Sequence, residues 1–366
     1  MIRVQFDHQI FSLQKYGGIS RYFANLQNYI DQSADFEQQN GVLFTTNYYL
    51  RQNGLIPLSI GSRIFKRQRK IYRWNKRYSV ACLKFNSYDI FHPSYYDPYF
   101  LPINCKPFVL TVHDMIHELF PENFDKNDVS ASHKKACILR AKHIIAISNH
   151  TKKDLQRFFD IPDDQITVIH HGINLAPVQY CTVSNLPKRY ILYVGERAGY
   201  KNFKLLVEAF STIAKADPGL YLVLAGGSTL TIQENALLTD HKIKEVTLQI
   251  TPSDNELNTI YKSAQCFVFP SLYEGFGLPV LEAFKNNCAV VLSDSSCFPE
   301  IAGKDAALYF DPHSVHSLIL QLQLILYNPD KKADLIKHGR EKLLEYSIER
   351  CVRKTLNTYK TIINDF

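Results

Sequence analysis

CFVFPSLYEGFGLPVLEAF, residues 266–284, is the stretch from which the rest of the chain is best read. Its first four residues are apolar and β-rich, as the buried centre of a parallel sheet requires. Gly275 and Gly277 then let backbone come close to a ligand, and Pro279 suits the first turn of a helix that runs on through Leu281, Ala283 and Phe284. Strand, glycine loop and helix in that order leave free N–H groups and a positive helix end beside the glycines, a setting suited to phosphate or polarised hydroxyls. Glu274 falls in the loop and Glu282 on the helix. A tight Gly-Phe-Gly turn next to a solvated Glu282 would account for the stretch taken alone, so partners elsewhere in the chain decide its meaning.

At 366 residues the chain exceeds what one core usually organises, which favours two domains. With 46% apolar and 21% charged residues the composition is that of a soluble globular protein. No segment approaches the apolar length that spans a bilayer. The stretch MIRVQFDHQIF carries Arg3 and Asp7 where a signal peptide needs an apolar core, so the expected location is the cytoplasm. The 8 cysteines are scattered with no C-x-x-C and read as reduced core residues. The net charge of +7 is modest, and its distribution says more than its sum. Arg63 to Arg77, RIFKRQRKIYRWNKR, holds eight Lys or Arg and no acid, with Phe65, Ile71, Tyr72 and Trp74 interleaved. This segment is expected to dock on the anionic inner face of the cytoplasmic membrane, its aromatic and apolar residues entering the interface. A solvated helix with its aromatics turned inward is the plainer reading, and no nucleic-acid-binding motif accompanies the patch.

Working outward in chain order, Ile2 to Phe6 predicts a strand. A long turn then ends in Gly17-Gly18, followed by a helix from Ile19 to about Ile30, and Val42 to Thr45 predicts a second strand. Further strands are predicted at Tyr88 to His92, Phe108 to Val112, Ile144 to Ile147 and Ile166 to Ile169. His113-Asp114 follows the second of these, where open parallel sheets bind their ligands, although a loop histidine bonded to its neighbour would look the same. The paired His170 and His171 suggest a metal only if a third ligand accompanies them, and none is spaced to do so; a turn or linker role fits better. Polar, helix-poor Pro177 to Pro187 reads as a linker. Beyond it the rhythm repeats: strand Tyr190 to Val194, helix Phe203 to Lys215, strand Leu220 to Ala225 closed by Gly226-Gly227, and a capping box at Ser253 to Glu256. After the opening stretch come strands at Ala289 to Leu292 and Leu308 to Phe310, then a helix over Ser314 to Tyr327. The fold class is α/β, with two Rossmann-like doubly wound domains facing a cleft.

Between the first strand and first helix of the second half lies Gly195-Glu196-Arg197-Ala198-Gly199-Tyr200-Lys201-Asn202. Arg197 and Lys201 match a diphosphate, one by forked hydrogen bonds and one as a point charge, though solvated surface charge would explain the pair in isolation. Strand-Gly-Glu-Arg-x3-Lys-Asn followed by Glu-Gly-Phe-Gly-Leu-Pro-x2-Glu-Ala resembles the retaining family 4 glycosyltransferases with the GT-B fold. The similarity runs over nearly the whole chain, including Gly17-Gly18, His113-Asp114, Ser148-Asn149 and His171-Gly172-Ile173-Asn174. Asn174 departs from the pattern, which commonly has an acid there.

The resemblance implies an acceptor-binding domain over 1–176, a nucleotide-sugar-binding domain over 188–345, and a helix in 346–366 crossing back to the first. It implies that Arg197 and Lys201 hold the donor diphosphate, that Glu282 takes the ribose hydroxyls, and that Glu274 binds hydroxyls of the donor sugar. Gly195, Gly275 and backbone N–H groups from Phe276, Gly277 and Leu278 would adjoin the phosphates, with Gly18 near them and the acceptor. His113 would contact the sugar from the other domain. The nucleotide-sugar is the donor substrate, and no metal or cofactor is implied. Phe6-Asp7-x-Gln9-Ile10-Phe11 and Gly17-Gly18-Ile19-Ser20-Arg21-Tyr22 resemble bacterial surface-polysaccharide enzymes, many of them mannosyltransferases. They lean the donor toward GDP-mannose over a UDP-sugar and the acceptor toward a lipid-linked or other saccharide. A sugar phosphorylase, a nucleotide-sugar epimerase and a noncatalytic nucleotide-sugar-binding partner are the rival readings. The two glutamates are not a hydrolase pair, because both belong to the donor side.

Overall fold

The computed structural model of the protein describes residues 1–54 and 68–364, so Arg63, Phe65, Lys66 and Arg67 of the basic segment lie outside the described residues. The chain divides into two compact units, Met1–Gly172 with Ile348–Phe366, and Ile173–Ser347.

The first unit contains strands Ile2–Phe6 (β1), Phe36–Asn40 (β2), Ile90–His92 (β3), Val109–Val112 (β4), His143–Ala146 (β5) and Ile166–Val168 (β6). They form two parallel sheets, β2-β1-β3 and β4-β5-β6, joined by a bridge between Phe91 and Phe108. The second strand is therefore Phe36–Asn40, FEQQN, and not Val42 to Thr45. It is an edge strand paired only with β1, and an edge tolerates polar side chains. Val42 to Thr45 is instead an irregular segment held by side chains. The Asn75 carboxamide oxygen accepts from Leu43 N at 3.0 Å and Phe44 N at 2.8 Å, and the Thr45 hydroxyl donates to the Phe11 carbonyl. Val4, Phe6, Ile10, Phe23 and Ile30 build the core together with Val352, Tyr359 and Ile362 of the final helix, Ile348–Asn364.

The described part of the basic segment lies on the helix Gln68–Phe85. Ile71, Asn75, Ser79 and Cys82 recur at helical spacing and are buried. Ile71 and Tyr72 are consequently not free to enter a membrane: Ile71 is a core residue, and the half-buried Tyr72 donates its hydroxyl to Asp97 at 2.7 Å with its ring against His8. The exposed face carries Arg69, Lys70, Arg73, Trp74, Arg77 and Tyr78. No helix among the described residues is long and apolar enough to cross a membrane.

The second unit has a single sheet of six parallel strands, Tyr190–Val194 (β7), Tyr221–Ala225 (β8), Thr247–Ile250 (β9), Cys266–Phe269 (β10), Val290–Ser293 (β11) and Ala307–Phe310 (β12). The strand order β12-β11-β10-β7-β8-β9 reverses direction between β7 and β10, and in open parallel sheets ligands bind at the carboxyl ends of the strands flanking such a reversal. All residues of β10 and β11 are buried, which is why both read as unbroken apolar runs. The β9 strand, TLQI, is a half-exposed edge and gave no comparable signal. The helix Leu278–Lys285 leaves the end of β10 and packs on the helix Pro329–Leu343. There Gly339 lies so close to Phe284 that a Cβ on it would come within 2.6 Å of the ring, so the two helices meet at a position that only glycine fills.

Candidate functional site

Two loops of the second unit converge at the sheet reversal. The first, 195–202, leaves β7 through Gly195 at φ 111° and ends in Asn202, whose left-handed backbone at φ 56° turns the chain into the helix Phe203–Ala216. The second follows β10 and ends at Gly277, whose φ of 89° starts the helix Leu278–Lys285 with Pro279 in its first turn. A backbone hydrogen bond from Leu272 N to the Tyr200 carbonyl, 2.8 Å, ties one loop to the other.

Across that tie Lys201 Nζ lies 2.6 Å from Glu274 Oε1, both side chains being mostly buried. The same oxygen accepts from the Ser271 hydroxyl at 2.7 Å, and Glu274 N donates to Ser296 Oγ at 3.1 Å, so the residue is fixed from three sides. Lys201 also sits over the rings of Tyr200 and Phe269. Glu282 is half-buried on its helix, and the Tyr261 hydroxyl donates to its Oε2 at 3.3 Å. Gly275, Phe276 and Gly277 are buried, with the Phe276 ring edge-on to Tyr346.

Arg197 is held by neighbouring protein groups. Its side chain is 1% exposed, its Nε donates to Glu234 Oε1 at 2.8 Å, and its Nη2 donates to the Ser228 carbonyl. Burial raises the Glu234 carboxyl, but hydrogen bonds from the Thr231 backbone and the Arg197 guanidinium outweigh it and leave the group below its ordinary range. Glu234 and Ser228 were not picked out from the sequence. The signal was present in Gly226-Gly227-Ser228 followed by Thr231-x-x-Glu234, a capping box that starts the helix Ile232–Asp240.

His113 belongs to the first unit, just past the end of β4. It is 5% exposed, neither ring nitrogen has a hydrogen-bond partner among the described residues, and its ring stacks on His171 at 5.6 Å. Burial, with His92 and Lys134 nearby, lowers it to about 3, so it is a neutral imidazole at physiological pH. His171 is thus an aromatic neighbour of His113. Among the described residues no group of three or more His, Cys, Asp or Glu side chains is gathered that could hold a metal ion. Gly18 opens the helix Gly18–Asp31 beyond the carboxyl end of β1. In the crevice between β1 and β3, Asp7 is fully buried and accepts from Ser94 N, Ser94 Oγ and Gln9 Nε2.

Residues 182–342 match the family model described as glycosyl transferases group 1, and residues 16–177 match that described as glycosyltransferase family 4. The chain is 27% identical over 301 residues to O-antigen chain mannosyltransferase B of Escherichia coli, covering 78% of each protein. It is 27% identical over 223 residues to O-antigen chain mannosyltransferase RfbU of Salmonella typhimurium, covering 60% of this chain and 61% of that one. Among solved structures, sucrose-phosphate synthase from Thermosynechococcus elongatus superposes with a TM-score of 0.76 at 19% identity, over 100% of both chains. HepE of Anabaena in complex with UDP-glucose superposes with a TM-score of 0.76 at 13% identity, over 99% of this chain and 100% of that one.

Proposed function

We propose, from the premise that this chain belongs to the family 4 glycosyltransferases, that it moves a mannosyl group from GDP-mannose to a saccharide or lipid-linked acceptor, with retention of configuration and without a metal. The observation that carries this reading is the Lys201–Glu274 pair, which joins the loop after β7, where Arg197 also lies, to the loop after β10 at the reversal of the six-stranded sheet. Arg197 and Lys201 hold the diphosphate and take up its charge as it departs, which stabilises the transition state where charge develops. Glu282 accepts from the ribose hydroxyls and Glu274 from hydroxyls of the sugar. The bond from the anomeric carbon to the diphosphate oxygen breaks, the acceptor oxygen bonds to that carbon on the same face, and the acceptor proton passes to the departing phosphate.

The O-antigen mannosyltransferases among the relatives favour mannose, while HepE with UDP-glucose keeps a UDP-sugar as the second reading. Incubation with a panel of nucleotide sugars, with and without saccharide acceptors, separates them. Acceptor-dependent release of GDP from GDP-mannose is expected. Turnover of UDP-sugars alone would replace the donor, and a panel turned over only by phosphorolysis or epimerisation would replace the reaction.

The exposed face of Gln68–Phe85 is part of the same proposal. Arg69, Lys70, Arg73 and Arg77 flank Trp74, which is 43% exposed, and Tyr78, which is 39% exposed, with no acid on the helix. This face docks on anionic lipid, each cation near the surface contributing about 1 kcal/mol. Wild type should float with anionic vesicles in low salt, and a variant with those four cations changed to Gln should stay behind. Equal flotation of both proteins would remove the helix from the account.

A further inference from the structure

The loop after β8 is shaped around Arg197. Gly226 and Gly227 have φ of 73° and 69°, and a Cβ on Gly227 would come within 2.5 Å of the Gly195 carbonyl oxygen and 2.8 Å of Arg197 Nη1. The two glycines therefore bring the Ser228 carbonyl under the guanidinium while leaving it room. That carbonyl also accepts from Gln249 Nε2 at 2.6 Å, and Glu196 Oε2 accepts from Ser228 Oγ at 2.8 Å, so the loop is tied on both sides. Glu234 is fixed in turn, its Oε2 accepting from Thr231 N at 2.7 Å while its Oε1 takes Arg197 Nε. Nη1 of the guanidinium is left, buried and without a partner among the described residues. A buried N–H donor without an acceptor costs free energy that a bound anion would recover.

We infer that Glu234 is a positioning residue for Arg197: with the Ser228 carbonyl it clamps the guanidinium so that Nη1 is the donor offered to an oxygen of the donor diphosphate. This rests on the proposed transferase reading and extends it to a residue outside both glycine loops. The arrangement differs from a mobile forked arginine, because Nε and Nη2 are committed before the diphosphate arrives, and a fixed donor needs no reorganisation as charge develops.

The test is a double-mutant cycle on acceptor-dependent release of nucleoside diphosphate, with kcat and donor KM read separately. Glu234→Ala should lower kcat by roughly 10- to 100-fold, the loss expected when a catalytic group is misplaced rather than removed. Glu234→Gln, which keeps the side chain's size and one acceptor oxygen, should recover part of that loss and serves if the alanine variant does not fold. The decisive readout is Arg197→Ala with Glu234→Gln, which should be within about twofold of Arg197→Ala alone, since a residue acting through Arg197 has nothing to act on once it is gone. Additive losses, or a Glu234→Gln enzyme equal to wild type in kcat, would overturn the inference. Failure of wild type to turn over any nucleotide sugar would instead reject the transferase reading, so the two failures are distinct.

Discussion

Lys201→Ala is expected to lower saturated turnover roughly 100- to 1,000-fold while changing donor affinity much less, the pattern left when a donor to a developing anion is removed. Lys201 stands on a short turn pinned by the left-handed Asn202, with its ammonium set against Glu274 and the faces of Tyr200 and Phe269. Its position is thus fixed before substrate arrives. Its attraction for the diphosphate grows as the sugar leaves, so removal is felt more in the transition state than in the ground state. Glu282→Ala should do the opposite, raising donor KM with little change in kcat, because ribose contacts are alike in both states. Initial rates over a donor titration check both. Saturated turnover of Lys201→Ala equal to that of wild type would remove Lys201 from the phosphate site.

The first unit should lose stability steeply below pH 6.5. His8, His92 and His113 are each lowered by burial to about 3, and His171 is lowered well below its ordinary value, again chiefly by burial. All four are neutral when folded, whereas the unfolded chain protonates them near 6.5. Their contribution is therefore fully present above pH 6.5 and is lost as pH falls from there toward the folded values. Each histidine adds a slope of at most about 1.4 kcal/mol per pH unit once its unfolded form is charged, and all four act in the same direction. Asp7, raised by burial, titrates in the opposite sense and offsets part of this at the acid end. The single tryptophan, Trp74, lies in this unit, so its fluorescence during denaturant unfolding reports on it. Equal midpoints at pH 7.5 and pH 5.5 would contradict the prediction.

Buried parallel strands were legible because burial on both faces leaves an apolar run, as in Cys266–Phe269 and Val290–Ser293. Two of the edge strands were not. Phe36–Asn40 and Thr247–Ile250 are polar or mixed, and neither differs in composition from a loop. The two glycine loops were legible because Gly195, Lys201, Glu274, Gly277 and Glu282 lie within two short segments that each follow an apolar strand. Glu234 escaped because its role depends on the fold bringing β7 and β8 side by side, and in sequence it reads as half of a capping box. Ile71 and Tyr72 show the limit of composition on a helix: being interleaved with cations did not say which way either side chain faces.

In a crystal structure of the protein with GDP, the diphosphate oxygens should lie within hydrogen-bond reach of Lys201 Nζ and Arg197 Nη1, with the ribose hydroxyls on Glu282. A nucleotide bound away from the carboxyl ends of β7 and β10, or with its ribose remote from Glu282, would contradict this placement.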